Sequence, residues 1–490
     1  MGVLATLLLL PAFPPSRLAA QIIPDARTIP AGTLRISFMP QYRSWDAVFG
    51  TDGTVRPLGF YFLTDTTSRL FPDAAQAEAA VRALTGDATW VLTAGRIDPR
   101  LDADVRRFPF EFSLGLASWL TMRATIPLIT TTMNASPSVD TTGANAGLAT
   151  FDAGAAGTAA GALLATADQI AAAIADGQFG CPLDPACGDA ATLEQRARRM
   201  AVDLVLLGAS PLQPLSTSGA ATAINNAVAQ LLAELGALGF TPSAFTLSFA
   251  EAPLDTTALG ALVSDLELSP LAPSKHTRKL GDIELGARIA ILARPGVRLL
   301  ADLMARLPTA SRGRPLDPIE LAPGDRQLDV GLALEGAVEG QWLSLWVRGS
   351  MEIQRAGTTD LRVAAPDDPL APASTLATVS RDPGDITQLS VWPGLRLTEG
   401  LRVSMTADWY RRGADRVTLN GAPVPALEVE TAQSALAFGG GLWYRSERGR
   451  RAAGLPIEAG LVYRSVFTGS GGRTPRSRQL DFGLRLYYGL

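Results

Sequence analysis

The chain has 490 residues, 43 Lys and Arg against 47 Asp and Glu, and a formal net charge of −4. That balance offers no basic surface for nucleic acid. Charged residues make up only 18%, against roughly 25% in ordinary soluble domains, and mean hydropathy is +0.16. Past the N-terminus no run of about 18 uncharged apolar residues occurs, which argues against helical membrane spans. Apolar composition without apolar runs is what alternating strands produce.

Residues 1–20 carry an apolar run over 3–13 and then Leu18-Ala-Ala-Gln21, a pattern that reads as a secretory signal cleaved near Ala20, although no Lys or Arg precedes the run. Residues 21–134 are expected to supply the first three strands and a long first loop. The first strand covers 33–42, with Leu34, Ile36 and Phe38 alternating with Arg35 and Ser37. Residues 45–100 read as that loop, with a short helix over 73–84 and an apolar patch at 90–92. A second strand over 107–116 puts Phe108, Phe110, Phe112, Leu114 and Leu116 on one face and Glu111 and Ser113 on the other. After a tight turn near Ser118 and Trp119, a third strand sets Met122, Ala124 and Ile126 opposite Arg123 and Thr125.

Composition then changes. Residues 135–275 are rich in Ala, Leu, Thr, Ser and Gly, and helical periodicity appears over 154–175, 190–207 and 219–238. This is read as a helical insert between strands three and four that caps or plugs the extracellular side. For 154–165 a low-complexity segment is the alternative. Cys181 and Cys187, the two cysteines of the chain, lie here. A secreted protein would bridge them, the alternative being two free thiols.

Residues 276–490 resume the alternation: 281–291 turns at Arg294-Pro-Gly into 297–306, 327–335 turns into 342–352, 387–396 into 401–412, and 434–445 is followed by 457–467. The end is the clearest. Leu480, Phe482, Leu484, Leu486, Tyr488 and Leu490 alternate with Gln479, Asp481, Gly483, Arg485, Tyr487 and Gly489. The expected fold is an all-β transmembrane barrel of about twelve antiparallel strands, short turns at one end and long loops at the other. An even count places both termini on the periplasmic side. A water-soluble antiparallel sandwich is the competing reading.

The closing strand resembles the C-terminal recognition strand of bacterial outer-membrane barrels, with Asp481, Gly483, Leu486 and Tyr488 in the polar, glycine, apolar and aromatic places; Leu490 stands where that group usually has Phe. The resemblance implies delivery by the barrel-assembly machinery to the outer membrane, with lipid around a monomer. Two further stretches, Leu114-Gly-Leu-Ala-Ser-Trp-Leu-Thr-Met-Arg-Ala-Thr-Ile-Pro-Leu and Leu280-Gly-Asp-Ile-Glu-Leu-Gly-Ala-Arg, resemble hairpins of transporters of the phenol-degradation meta-pathway type, distant relatives of the long-chain fatty-acid channel. That resemblance implies passive passage of small hydrophobic or aromatic molecules. Those channels carry an N-terminal plug, whereas about a dozen mature residues precede Thr33 here. Any plug is therefore expected from the insert or the loops.

On the polar faces of the strands the candidate lumen-lining residues are Arg35, Glu111, Arg123, Asp282, Arg288, Asp302, Arg306, Trp342, Trp346, Arg348, Arg402, Asp408 and Arg485. The arginines could form a ladder for anions or ion pairs that hold the barrel together, and the second reading is preferred. Trp443 falls on the same face, while Trp119 and Trp409 suit interfacial belts. His276 is the one histidine. A Ser/His/acid hydrolase could use it, but it reads more simply as a loop residue. One histidine and a cysteine pair do not make a zinc site, no phosphate-binding glycine loop precedes a helix, and Asp184 and Asp189 lack calcium-loop spacing. No cofactor, metal or enzyme activity is expected. The functions weighed are a channel for small hydrophobic molecules and, in the alternative, a structural or surface-binding barrel with a closed lumen.

Overall fold

The computed structural model describes residues 26–67, 72–148, 153–181, 183–364, 370–446 and 457–489. The expected signal segment and Leu490 lie outside them. The described chain divides into two compact units: residues 1–61, 100–136 and 263–490, and residues 62–99 and 137–262.

The first unit is a closed antiparallel barrel. Its main sheet contains fourteen hydrogen-bonded segments. Two strands are each interrupted once, so the segments make twelve strands. Strand β1 is Thr33–Phe38 continued by Gln41–Trp45. Pro40 sits in the break, where the missing N–H would leave a gap in a ladder. Strands β2 and β3 are Arg100–Ala117 and Leu120–Ser136, and β4 is Ser274–Leu280 continued by Glu284–Arg294. Then come β5 Val297–Arg306, β6 Asp329–Glu339, β7 Leu343–Gln354, β8 Ile386–Arg396, β9 Leu401–Arg412, β10 Gln433–Arg445, β11 Ile457–Ser470 and β12 Arg478–Gly489. Closure comes from β1, which pairs with β12 on one side (Ile36 opposite Leu486) and with β2 on the other (Ile36 opposite Phe112).

The period-two pattern sorts side chains by face. In β6, Val330, Leu332, Leu334 and Val338 are exposed while Asp329, Ala333, Glu335 and Ala337 are buried. In β12, Leu480 and Phe482 are exposed and Asp481 and Arg485 buried. Leucines outside and ionised groups inside invert the order of a water-soluble protein, and the soluble sandwich fails on this point. The tight turn between β4 and β5 uses Pro295 to fix the first corner and Gly296 at φ +77°, a conformation that a Cβ disfavours.

The second unit is helical: α1 Pro72–Thr85, α2 Ala153–Ala175, α3 Pro185–Gly208 and α4 Gly219–Ala237, with α5 Thr256–Asp265 running across the boundary. Small and branched apolar residues such as Ala77, Leu163, Ile170, Ala197, Leu204, Ile224 and Leu231 form one buried cluster, and Trp90 packs against it. Residues 62–99, which the sequence grouped with the first strands, therefore belong to the helical unit, because α1 and Trp90 complete its core. Residues 154–165 are helical, not unstructured. By length and composition α2 is apolar enough to cross a bilayer, although Asp168 interrupts its uncharged run. In the structure its buried face belongs to the helical core. Helix α3 starts five residues earlier than its periodicity implied, because Asp184 caps it by accepting from the Ala186 amide and Pro185 fits the first turn. A disulfide joins Cys181, ahead of the helix, to Cys187 in its first turn.

Candidate functional site: the barrel interior

Midway along the strands the interior is a network of ion pairs. Arg35 donates to Glu111 at 3.0 Å. Arg123 reaches Asp302 at 3.0 Å and lies 3.9 Å from Glu111. Arg288 forks onto both oxygens of Glu335 at 3.0 and 3.1 Å, and Arg348 meets the same carboxylate at 2.9 Å. Toward the long loops Arg306 joins Asp329 at 2.5 Å and also holds Glu352. On the opposite wall Arg464 lies 3.2 Å from Asp408 and also holds Asp481, while Arg485 donates to Glu458 at 3.3 Å. Arg288 and Arg464 are 1% exposed and Glu335 is fully buried, so the barrel is filled at this level. Such pairs form because a charge away from water needs both a counter-ion and hydrogen bonds. Every arginine of the network faces a carboxylate, which is ion pairing and not a ladder for passing anions.

Between this network and the short turns lies an aromatic layer. Trp392 is flanked by Trp346 at a ring-centroid distance of 5.4 Å and by Trp443 at 5.6 Å. The Arg464 guanidinium sits 5.0 Å from the Trp392 ring centre, a cation–π contact. Ala26, Leu300, Ala337 and Val462 complete the cluster. A cavity of about 90 Å³ lies beside it, walled by the three tryptophans with Arg27, Glu339 and Arg402.

Part of this filling is the N-terminal lead. The Ile29 amide donates to Thr121 Oγ1 at 2.8 Å and Thr28 Oγ1 donates to the Ser118 carbonyl at 2.6 Å. Arg27 reaches Glu339 at 3.1 Å, a carboxylate that Arg298 and Arg402 also approach at 3.2 and 3.3 Å. The lead lies so close to the inner wall that a Cβ on Gly115 would come within 2.1 Å of the Pro30 carbonyl oxygen. The sequence looked to the insert or the loops for a plug, but the few residues before β1 occupy the interior themselves.

At the long-loop end a second segment folds inward. The loop between β5 and β6 is fastened to the inner faces of β3 and β4: Thr131 Oγ1 donates to the Leu321 carbonyl at 2.6 Å, Ser274 Oγ to Asp317 at 2.6 Å, and His276 Nε2 meets Glu320. His276 is thus a buried strand residue, not a loop residue, since its place opposite Thr131 turns it inward. Ser274 and His276 engage different acids, Asp317 and Glu320, and Arg314 also donates to Ser274 Oγ at 2.7 Å. The relay from serine to histidine to acid that hydrolysis requires is not what these contacts form. Among the described residues no group of three or more His, Cys, Asp or Glu could hold a metal ion.

Of the residues assigned to the lumen from sequence, Arg35, Glu111, Arg123, Arg288, Asp302, Arg306, Arg348, Asp408 and Arg485 come together in the ion-pair network. Asp282 is buried and accepts from the Ala310 amide at 2.9 Å, helping to hold the inward loop. Arg402 stands at the short-turn mouth beside Glu339, and Trp346 is in the aromatic layer. Trp342 is a correction: it lies in the turn before β7 and is 61% exposed, because the alternation stops at Leu343. Trp392, the centre of the layer, was missed, although Gln388, Ser390, Trp392 and Gly394 share one face of β8. Asp481, read as an assembly signal, is also an inward partner of Arg464 and accepts from Gln479 at 2.8 Å.

No model of a known family matches the chain, and no curated protein does. Among solved structures, the COG4313 outer membrane channel from Pseudomonas putida F1 aligns over 95% of this chain and 98% of its own, at 10% identity and a TM-score of 0.44. The Ralstonia pickettii toluene transporter TbuX aligns over 94% and 90%, at 7% identity and a TM-score of 0.28. The Pseudomonas putida toluene transporter TodX aligns over 94% and 90%, at 10% identity and a TM-score of 0.25. These likenesses are distant. The place of the chain follows from its own faces: a closed antiparallel barrel with an apolar exterior and a charged interior is built for the bacterial outer membrane.

Proposed function

We propose that this barrel is an occluded outer-membrane channel for small hydrophobic or aromatic molecules, opened when the segments filling its interior move aside. The observation that carries the reading is the layer of Trp346, Trp392 and Trp443 around a cavity, set inside a wall that is otherwise ion-paired. Tryptophan faces offer aromatic solutes stacking that a charged wall does not. The lead over 26–32 lines that cavity through Ala26 and Arg27, beside Glu339 and Arg402, and is the natural moving part, being held by a handful of hydrogen bonds and one ion pair. The chain would act as a monomer surrounded by lipid and delivered by the barrel-assembly machinery, a reading supported by the pattern of its closing strand.

The test uses Gly115→Val, which removes the space occupied by Pro30 and forces the lead off the wall. In planar bilayers the variant is expected to conduct several-fold more than the parent, and vesicles containing it to take up a monoaromatic solute faster. Silence from both proteins, with folding confirmed by heat-modifiable migration, would sink the channel. It would favour the second reading, a structural or surface-binding barrel, for which the specific observation is the pairing of each arginine of the network with a carboxylate.

A further inference from the structure

A cavity larger than the one in the aromatic layer lies elsewhere in the barrel unit. It holds about 440 Å³ and lies among the long loops, between the inward loop of β5 and β6 and a small sheet made by Gly357–Arg362, Leu376–Asp382, Arg416–Leu419 and Ala422–Pro423. That volume is in the range of small-ligand sites.

The charges on its wall are unequally engaged. Each lining acid has a partner: Asp317 accepts from Ser274 at 2.6 Å and meets Arg314 at 3.3 Å, Glu320 holds His276, Asp360 accepts from Thr378 at 2.6 Å, and Asp325 accepts from the Gln327 amide at 3.4 Å. Two lining arginines are likewise tied down. Arg381 is held by Asp415 at 2.6 Å, and Arg362 donates to the Ala371 carbonyl at 3.0 Å. Arg312 and Arg326 differ: both line the cavity, both are exposed, and neither makes a hydrogen bond or ion pair among the described residues. The Arg314 side chain beside them is 49% exposed. Leu361, Leu427 and Pro315 give the same cavity an apolar side.

We propose that this cavity binds a small organic carboxylate, whose anionic head is taken by Arg312 and Arg326 and whose compact apolar body lies toward Leu361 and Leu427. A guanidinium presents paired N–H donors that match a carboxylate, a geometry lysine lacks. The acids do not cancel this preference: five arginines stand against four acids on the wall, and Asp317 and Glu320 both meet Arg314. The inward loop provides both Arg312 and the anchors Asp317 and Glu320, so its attachment to β4 fixes the cavity wall. The inference does not depend on the barrel conducting, because the site stands on the loops alone.

Benzoate is the probe, with benzamide as its neutral counterpart, measured against the full-length folded protein by saturation-transfer NMR and calorimetry. Saturable benzoate binding at least ten-fold tighter than benzamide is expected, and a further ten-fold loss in the Arg312→Ala/Arg326→Ala double variant. Arg312→Lys/Arg326→Lys should keep part of the affinity, as a point charge without the fork. Equal binding of benzoate and benzamide would overturn the proposal. So would benzoate binding untouched by the double alanine variant, or no benzoate binding by the parent protein. Both arginines are exposed on loops, so loss of fold does not confuse the result, and heat-modifiable migration checks it.

Discussion

The two units of this molecule obey one rule with opposite sign. In the helical unit Leu231 and Ile224 are fully buried, while Arg198 stays at the surface, pairing with Asp168 at 2.8 Å. In the barrel Leu334 is 51% exposed and Arg288 is 1% exposed. Both arrangements place each side chain where it meets its cheapest surroundings. The difference is the solvent: water around helices that hide leucine, and hydrocarbon around strands that hide arginine. Exposure alone is therefore no measure of what a residue contributes here.

The largest expected effect comes from breaking a buried pair. Glu335→Ala leaves Arg288 and Arg348 without their shared carboxylate, and should lower barrel stability by about 3–5 kcal/mol, read as a shift in the heat at which the folded band is lost. Arg198→Ala, which breaks a solvent-exposed pair in the other unit, should leave stability within experimental error. Comparable losses in both proteins would mean the barrel interior is wet.

Next are the two leucines. Leu231→Ala should cost the helical unit about 2–5 kcal/mol by opening a cavity, followed by far-ultraviolet dichroism in denaturant. Leu334→Arg should cost the barrel about 2–4 kcal/mol, because the middle of β6 faces the bilayer core. A soluble barrel would tolerate that arginine, so unchanged folding into vesicles refutes the lipid-facing assignment.

Smaller again is the bridge between Cys181 and Cys187. Its loop is short, so replacing both by alanine should lower helical-unit stability by about 2 kcal/mol on the chain-entropy account. The barrel transition should not move, and a shift in it would show that the two units unfold together.

The smallest effect is in pH. Tyr61, outside the spanning strands, has its hydroxyl pushed up to about 12, chiefly by burial and then by Glu430, against the opposing charge of Arg473. An unfolded tyrosine ionises near 10, so the folded chain holds more protons between those values. Stability is then complete below pH 10 and is lost as pH rises toward 12. Tyr61→Phe should flatten that fall, and a parent protein with no fall over this range would refute the assignment.

What could be read from the sequence follows the reach of each signal. The twelve strands were legible because alternation is local, and even the faces came out correctly: Leu332 outward, Arg288 inward. The partners were not legible. Nothing near Arg464 in sequence names Asp408, and nothing near Arg27 names Glu339; both pairings need the closed barrel. Trp342 and Trp346 look equivalent by parity, yet one is in a turn, and β7 begins between them. The loop that carries Glu320 gave no periodicity, so its return to His276 was invisible. Residues 62–99 looked like a loop because their core partners, Ala197 and Ile224, lie more than a hundred positions away.

That last separation bears on how the protein assembles. The helical unit is made from two stretches of chain, 62–99 and 137–262, and what lies between them is the hairpin of β2 and β3, paired from Arg100 opposite Ser136 down to its turn. Once that hairpin is paired, Arg100 and Ser136 hold the two ends side by side. The entropy of closing the loop between α1 and α3 is then already spent, and the halves meet at the effective concentration of a short tether. The hairpin is a splint for a domain it is not part of. A two-residue slip in its register would draw one half along the other by about two strand rises, misaligning α1 with α3 while leaving every helix intact.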